Sequence, residues 1–177
     1  MKRVVKIGSV LLNSIVVLCM ILIGWSYASN AHERKVIDPE ALRCVALNIY
    51  FETSAETLID SMSVTDVVLN RVMDTRYPDD ICDVIYQGLK TKDGKMRRNK
   101  CQFSWYCDGK SDVPKHKAAW MRSQSYAYQM LAYGTYRGLT EGSTHYHAHY
   151  VNPKWNKDFG MNYIGSFGLH KFYRSEQ

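Results

Sequence analysis

The chain has 177 residues, with 23 Lys and Arg against 17 Asp and Glu and a formal net charge of +6. Lys2, Arg3 and Lys6 supply three of those charges ahead of an uncharged run from Ile7 to Trp25, so the body is only mildly basic. That balance is too small to argue for a nucleic-acid partner and suits contact with a polyanionic surface.

A basic head, an apolar run and the small residues Ser26, Ala28, Ser29 and Ala31 make residues 1–31 read as an export segment. Cleavage after Ala28 or Ala31 fits the small-x-small rule. The run is also close to the roughly 20 residues that span a bilayer, so an uncleaved anchor with its positive head inside is the competing reading. Either way the body leaves the cytoplasm, for the periplasm, the envelope or the medium. Cys44, Cys82, Cys101 and Cys107 are an even number in an oxidising compartment, where disulfides are expected. Three connectivities are open. Structural zinc at Cys101 and Cys107 is the rival, although their spacing is wider than the usual knuckle.

No repeats or linkers interrupt residues 37–174, which read as one domain. Pro39 to Phe51 has a proline suited to a first turn, and Leu42, Val45, Ala46 and Ile49 recur at helical spacing. A second helix is expected from about Glu56 to Met73, with Ser54 as its cap, before the turn Tyr77-Pro78-Asp79-Asp80. Lys90 to Lys100 reads as a polar loop carrying Lys90, Lys92, Lys95, Arg97, Arg98 and Lys100. A third helix is expected from Pro114 to Tyr133, stopped by Gly134. After Gly142 the period changes to two, predicting a strand over 144–150 and a further short strand near 164–173, separated by Asn152-Pro153. Helices first and strands later make an α+β domain.

Glu52 falls at the junction of the first two helices, flanked by Tyr50 and Phe51. A carboxyl partly desolvated there keeps its proton near neutral pH, which is what a departing glycosidic oxygen requires. Glu56 reads as a first-turn dipole partner. Asp66 lies midway along the second helix, as a solvent-facing residue or as a candidate second carboxylate. His145, His147 and His149 alternate and so share one strand face. They read either as polar lining of a groove or as part of a metal site, with Glu52 or Asp158 completing it. Trp105, Tyr106, Tyr146, Tyr150 and Trp155 offer aromatic faces suited to sugar rings, although aromatics in a small domain are more often core.

Three blocks in order give these residues a family context: Ala46 to Val72, with Glu52-x-x-x-Glu56 and Val68-Leu69-Asn70-Arg71-Val72; Cys101 to Trp105; and His145 to Trp155, followed by Ile164-Gly165 and His170 to Tyr173. Together they resemble the SleB/CwlJ-type cell wall hydrolases, the spore-cortex-lytic enzymes and their relatives. The resemblance implies a lysozyme-like single domain, helical in its N-terminal part with a short antiparallel sheet in its C-terminal part. It further implies cleavage of peptidoglycan between N-acetylmuramic acid and N-acetylglucosamine, of the lytic transglycosylase type, with Glu52 as the catalytic acid. The family's acidic motif reads like Gly-Glu-Ala-x-Gly-Glu, whereas Phe51 and Thr53-Ser54-Ala55 stand here. On this reading His145, Tyr146, His147, Trp155 and Trp105 bind substrate, and Asn70 and Arg71 are structural. The Lys90–Lys100 segment is either solvated or in contact with stem-peptide carboxylates. No cofactor or metal is implied, the protein is expected to be a monomer, and any membrane contact comes through the N-terminal segment. The chain suits a wall-remodelling enzyme and a phage lysin alike. Two rivals use the same residues differently: a zinc amidase or peptidase built on the histidine strand, and a non-catalytic wall-binding protein.

Overall fold

The computed structural model describes residues 36–176, together with Met20. The readings of residues 1–31 as signal or anchor lie outside the described residues. Helix α1 spans Pro39–Thr53. Asp38 caps it, its carboxylate accepting from Glu40 N (3.0 Å) and Ala41 N (3.4 Å), so two orphan N–H groups are satisfied. Helix α2 spans Leu58–Val72 and is capped by Thr57, whose hydroxyl accepts from Asp60 N at 3.1 Å.

Ser54 therefore does not cap α2 as expected. It terminates α1 instead, with φ 55 and its N–H closing on Tyr50 O at 3.0 Å. Ser54 and Ala55 (φ 49) both take the left-handed conformation and turn the chain before α2 begins. The position where the resembled motif carries Gly is thus left-handed here, with Ala55 fully buried in it.

Helix α2 is the central element, buried on every side from Asp60 to Val68. Its small polar residues need no outside donor or acceptor. Ser61, Ser63 and Thr65 donate to the carbonyls of Thr57, Ile59 and Ser61 at 2.9, 2.7 and 2.7 Å. Helix α3 (Ile81–Ile85) is tied to α1 by the disulfide Cys44–Cys82. Closing a loop across its 38-residue separation constrains the unfolded chain by about 4 kcal/mol.

Two strands, β1 (Gly88–Lys90) and β2 (Met96–Cys101), pair antiparallel where a loop was expected. Neither face of β2 is buried, so its charged sequence carries no alternation from which a strand could be read. A short 3-10 turn, Ser104–Cys107, follows and is closed by the disulfide Cys101–Cys107. Both disulfides were expected; their pairing comes from the fold. Helix α4 spans Lys117–Tyr133 and begins later than Pro114. The Tyr50 hydroxyl accepts from Lys115 N and His116 N at 3.0 and 3.1 Å, and the N-cap His116 has an extended backbone. Gly134 ends α4 with φ 64, as expected.

Strands β3 (His145–Ala148), β4 (Met161–Phe167) and β5 (His170–Ser175) form an antiparallel sheet in the order β3-β5-β4. The single strand expected over 164–173 is thus a hairpin, and it turns at Gly168. A Cβ on Gly168 (φ +56) would lie 2.1 Å from Asp60 Oδ1, so both conformation and space demand glycine. Ile49, Met62, Val64, Val68 and Phe103 are buried core residues, and Phe172 is buried on the inner face of this sheet. The α+β expectation holds.

Candidate active site

Glu52 occupies the last turn of α1, half-buried, just ahead of the left-handed pair. Several bonds fix that junction. Thr53 Oγ1 donates to Ile49 O at 2.8 Å and lies 3.2 Å from Ser61 Oγ on α2, while Arg122 Nε from α4 donates to Ala55 O at 3.1 Å. Among the described residues the carboxylate accepts from one side chain: the Tyr146 hydroxyl donates to Glu52 Oε2 at 2.8 Å. Burial raises the Glu52 pKa above the usual carboxylate range, opposed by the Tyr146 hydrogen bond and by the charge of Arg71. Burial and the neighbouring Glu52 together hold the Tyr146 phenol well above 10. Glu52 is therefore a carboxyl that holds its proton more tightly than usual, beside two groups that favour its ionised form.

Arg71, expected to be structural, plays that part and also supplies charge. It is buried at 4% exposure, and its Nε donates to Thr144 O at 2.8 Å, fixing the start of β3. Its guanidinium lies 5.2 and 5.3 Å from the ring centroids of Tyr77 and Phe103. Nη1 is buried without a hydrogen-bond partner among the described residues. Burial lowers the Arg71 pKa, and Glu52 and the two tyrosines oppose the shift.

Strand alternation divides the residues expected to line one groove. On the inner face, Tyr146 meets Phe172 and His170 at 5.6 and 5.1 Å and reaches Glu52. His145 and His147 take the opposite face, where both lie against Trp155 at 5.3 and 5.6 Å. His147 is buried. Its Nε2 is 3.1 Å from the Tyr173 hydroxyl and its Nδ1 is 2.9 Å from Ala148 O. His145 is pushed down to about 4 by burial and by Arg71 and Arg76. His149 lies just past the end of β3, and no cluster of three or more His, Cys, Asp or Glu among the described residues is placed to hold a metal ion.

Trp105 is not in a groove. It is 6% exposed, stacks on Phe51 at 4.9 Å and donates from Nε1 to Asn48 Oδ1 at 3.0 Å. It is a core aromatic. Asp66 is neither solvent-facing nor free to act. It is fully buried, and it accepts from Arg137 Nη1, Gly138 N (3.0 Å), Thr140 N (2.9 Å) and Thr140 Oγ1 (2.7 Å). Asn70 donates to Thr140 Oγ1 and Ser143 O at 3.1 and 3.0 Å and secures the same turn.

Sequence reasoning missed Asp60 and His170. Asp60 is buried and accepts from Leu169 N at 2.7 Å, with His170 Nδ1 3.1 Å away. It thereby seats the β4–β5 turn and the imidazole that packs edge-on against Tyr146. Locally Asp60 reads only as a first-turn acid, its Oδ2 accepting from the Thr57 hydroxyl at 3.2 Å; the groups that give it a place beside the site lie 109 and 110 residues away. A depression of about 480 Å³ opens beside the junction, lined by Tyr50, Phe51, Ser54, Glu56, His116 and Arg122 among others.

The cell wall hydrolase profile matches residues 55–173, starting just after Glu52. Two solved structures share the fold. The catalytic domain of the Bacillus cereus SleB protein aligns with a TM-score of 0.54 at 18% identity, covering 79% of this chain and 94% of that one. The catalytic domain of the germination-specific lytic transglycosylase SleB from Bacillus anthracis aligns with a TM-score of 0.55 at 18% identity, covering 79% and 98%. No curated protein sequence matches. With the profile spanning most of the chain and the α+β fold in agreement, the protein belongs to the cell wall hydrolase family.

Proposed function

We propose that this chain, exported to the compartment of its wall substrate, cleaves the glycan strand of peptidoglycan between N-acetylmuramic acid and N-acetylglucosamine as a lytic transglycosylase. The observation that carries the reading is the Glu52–Tyr146 pair: a half-buried carboxyl with a raised pKa and, among the described residues, a single hydrogen-bond donor. Protonated Glu52 gives its proton to the glycosidic oxygen as the bond from the muramic anomeric carbon breaks. The carboxylate, now stabilised by the Tyr146 hydroxyl and the Arg71 charge, takes the proton of the muramic 6-hydroxyl as that oxygen closes on the same carbon. One carboxyl thus serves twice, and the 1,6-anhydro product needs no added water. Support comes from Asp66, whose oxygens are taken up by Arg137, Gly138 and Thr140. His145, His147 and Trp155, on the far face of the sheet, brace β3 rather than touch the scissile bond.

The test is mass spectrometry of muropeptides released from purified peptidoglycan by the full chain, beside Glu52→Gln. Anhydro-muramic ends that disappear with the variant, at a rate loss of about 10²-fold or more, are expected. Reducing-end muramic acid would mean a hydrolase and would point to Glu56, exposed at the same junction, as the second carboxylate. Intact glycan with trimmed peptides would end the reading.

A further inference from the structure

The basic segment from Lys90 to Lys100 takes no part in the Glu52 site, yet it holds most of the domain's positive excess. Residues 36–176 contain 18 Lys and Arg against 16 Asp and Glu; six of the cations lie in residues 88–101 beside a single acid, Asp93. The rest of the domain is therefore net acidic, with 12 cations against 15 acids. Asp93 is paired with Lys95 at 3.1 Å, and Arg98 is turned back to donate to Asp108 O at 3.2 Å. Lys90, Lys92, Arg97 and Lys100 are exposed and form no ion pair among the described residues. Four unneutralised cations on a hairpin whose tip is closed by Thr91 and whose base is stapled by Cys101–Cys107 are a preorganised anion-attracting surface.

At the base of the hairpin lies a depression of about 530 Å³ whose lining includes Asp83, Tyr86, Gln87, Lys90, Met96 and Tyr106. The rings of Tyr86 and Tyr106 are 4.4 Å apart and form an aromatic wall. Gln87 Oε1 is buried and has no hydrogen-bond partner among the described residues, so a ligand N–H would satisfy it. Cations for carboxylates, an amide oxygen for an N–H and an acid for an amine are together the complement of a short peptide with free carboxyl and amino groups. Uncharged sugars would use none of the charges. A phosphodiester chain would meet Asp83 and an unpaired acceptor.

We propose that the β1–β2 hairpin and the depression at its base bind the stem peptide of peptidoglycan, which rests on the substrate reading given above. The aromatic contacts Tyr86–Trp105 (6.2 Å) and Trp105–Phe51 (4.9 Å) lead from this depression to the residue preceding Glu52. A stem held here would orient the strand it hangs from.

Co-sedimentation of the full-length chain with purified sacculi tests this, in a Glu52→Gln background so that nothing is cleaved. Binding is then read independently of which bond the active protein breaks, and a failure of the glycan-cleavage reading shows only in the products. Charge reversal at Lys90, Lys92, Arg97 and Lys100 (all to Glu) is expected to weaken binding to intact sacculi by about tenfold or more, and added salt to weaken the parent alone. Gln87→Leu, which alters no charge, is expected to cost about threefold. On glycan strands freed of stems by an amidase, the parent should bind as weakly as the reversal variant. If the reversed protein has lost the parent's thermal midpoint, the corresponding four Gln substitutions replace it. Equal binding by parent and variant to intact sacculi, or undiminished binding of the parent to stem-free strands, would overturn the proposal. So would equal retention on phosphatidylglycerol vesicles, which would make the surface a membrane contact.

Discussion

Glu52 and Asp66 are carboxylates on two adjacent helices, both shielded from bulk water, and their surroundings differ sharply in the donors they supply. Asp66 meets two backbone N–H groups, a hydroxyl and a guanidinium, so its charge is fully used in holding the 137–140 turn against α2. Glu52 meets one phenol and a more distant cation, and its pKa rises. Burial alone therefore does not decide how a carboxyl behaves. The number of donors supplied decides whether the desolvated charge is compensated or left available to take a proton.

Stability measurements should separate the two most sharply. Asp66→Asn places an amide N–H₂ among donors and leaves Arg137 without its charge partner, so urea melts should show a loss of about 3 kcal/mol. Glu52→Gln should show no such loss. The folded state holds the Glu52 proton more tightly than the unfolded chain, so native Glu52 lowers stability as pH rises from 4.5 through its raised pKa. The Gln variant should consequently be more stable than the parent at neutral pH, and the difference should vanish below 4.5. A parent stabilised by ionised Glu52 would break the contrast.

The turn that seats the imidazole beside Tyr146 is the next point of attack. Gly168→Ala forces a methyl into Asp60 in a left-handed backbone, and a loss of about 2–3 kcal/mol is expected by thermal unfolding. The Tyr146 hydroxyl is tested by Tyr146→Phe, which removes the one side-chain donor to Glu52 among the described residues. The carboxyl pKa should climb further, so the alkaline limb of the pH–rate profile, where the acid form is lost, should move to higher pH. A fall of about tenfold in rate should accompany it. The smallest effect is expected on the opposite face of the same strand. Trp155→Ala removes contacts with His145, His147 and Tyr173 and should cost about 1–2 kcal/mol. The alkaline limb should stay in place; a shift like that of Tyr146→Phe would mean that both faces of β3 serve the site.

Legibility in the sequence followed the range of the interactions. The α1 start at Pro39, the Gly134 stop of α4 and the β3 alternation are set by neighbours a few residues apart, and each was readable. So was Glu52 as a carboxyl at a helix junction, and the family context of the blocks around it. Ser54 was assigned to the wrong helix because a left-handed pair of non-glycine residues has no sequence signature. The β1–β2 hairpin was missed because a strand exposed on both faces shows no period. Only the tertiary structure decided that Tyr146 and not the neighbouring histidines meets Glu52, that Trp105 is core, and that Asp66 is an anchor. Those outcomes depend on which face of a strand or helix meets another element 57 to 94 residues away, and a local pattern carries no information about what stands opposite it.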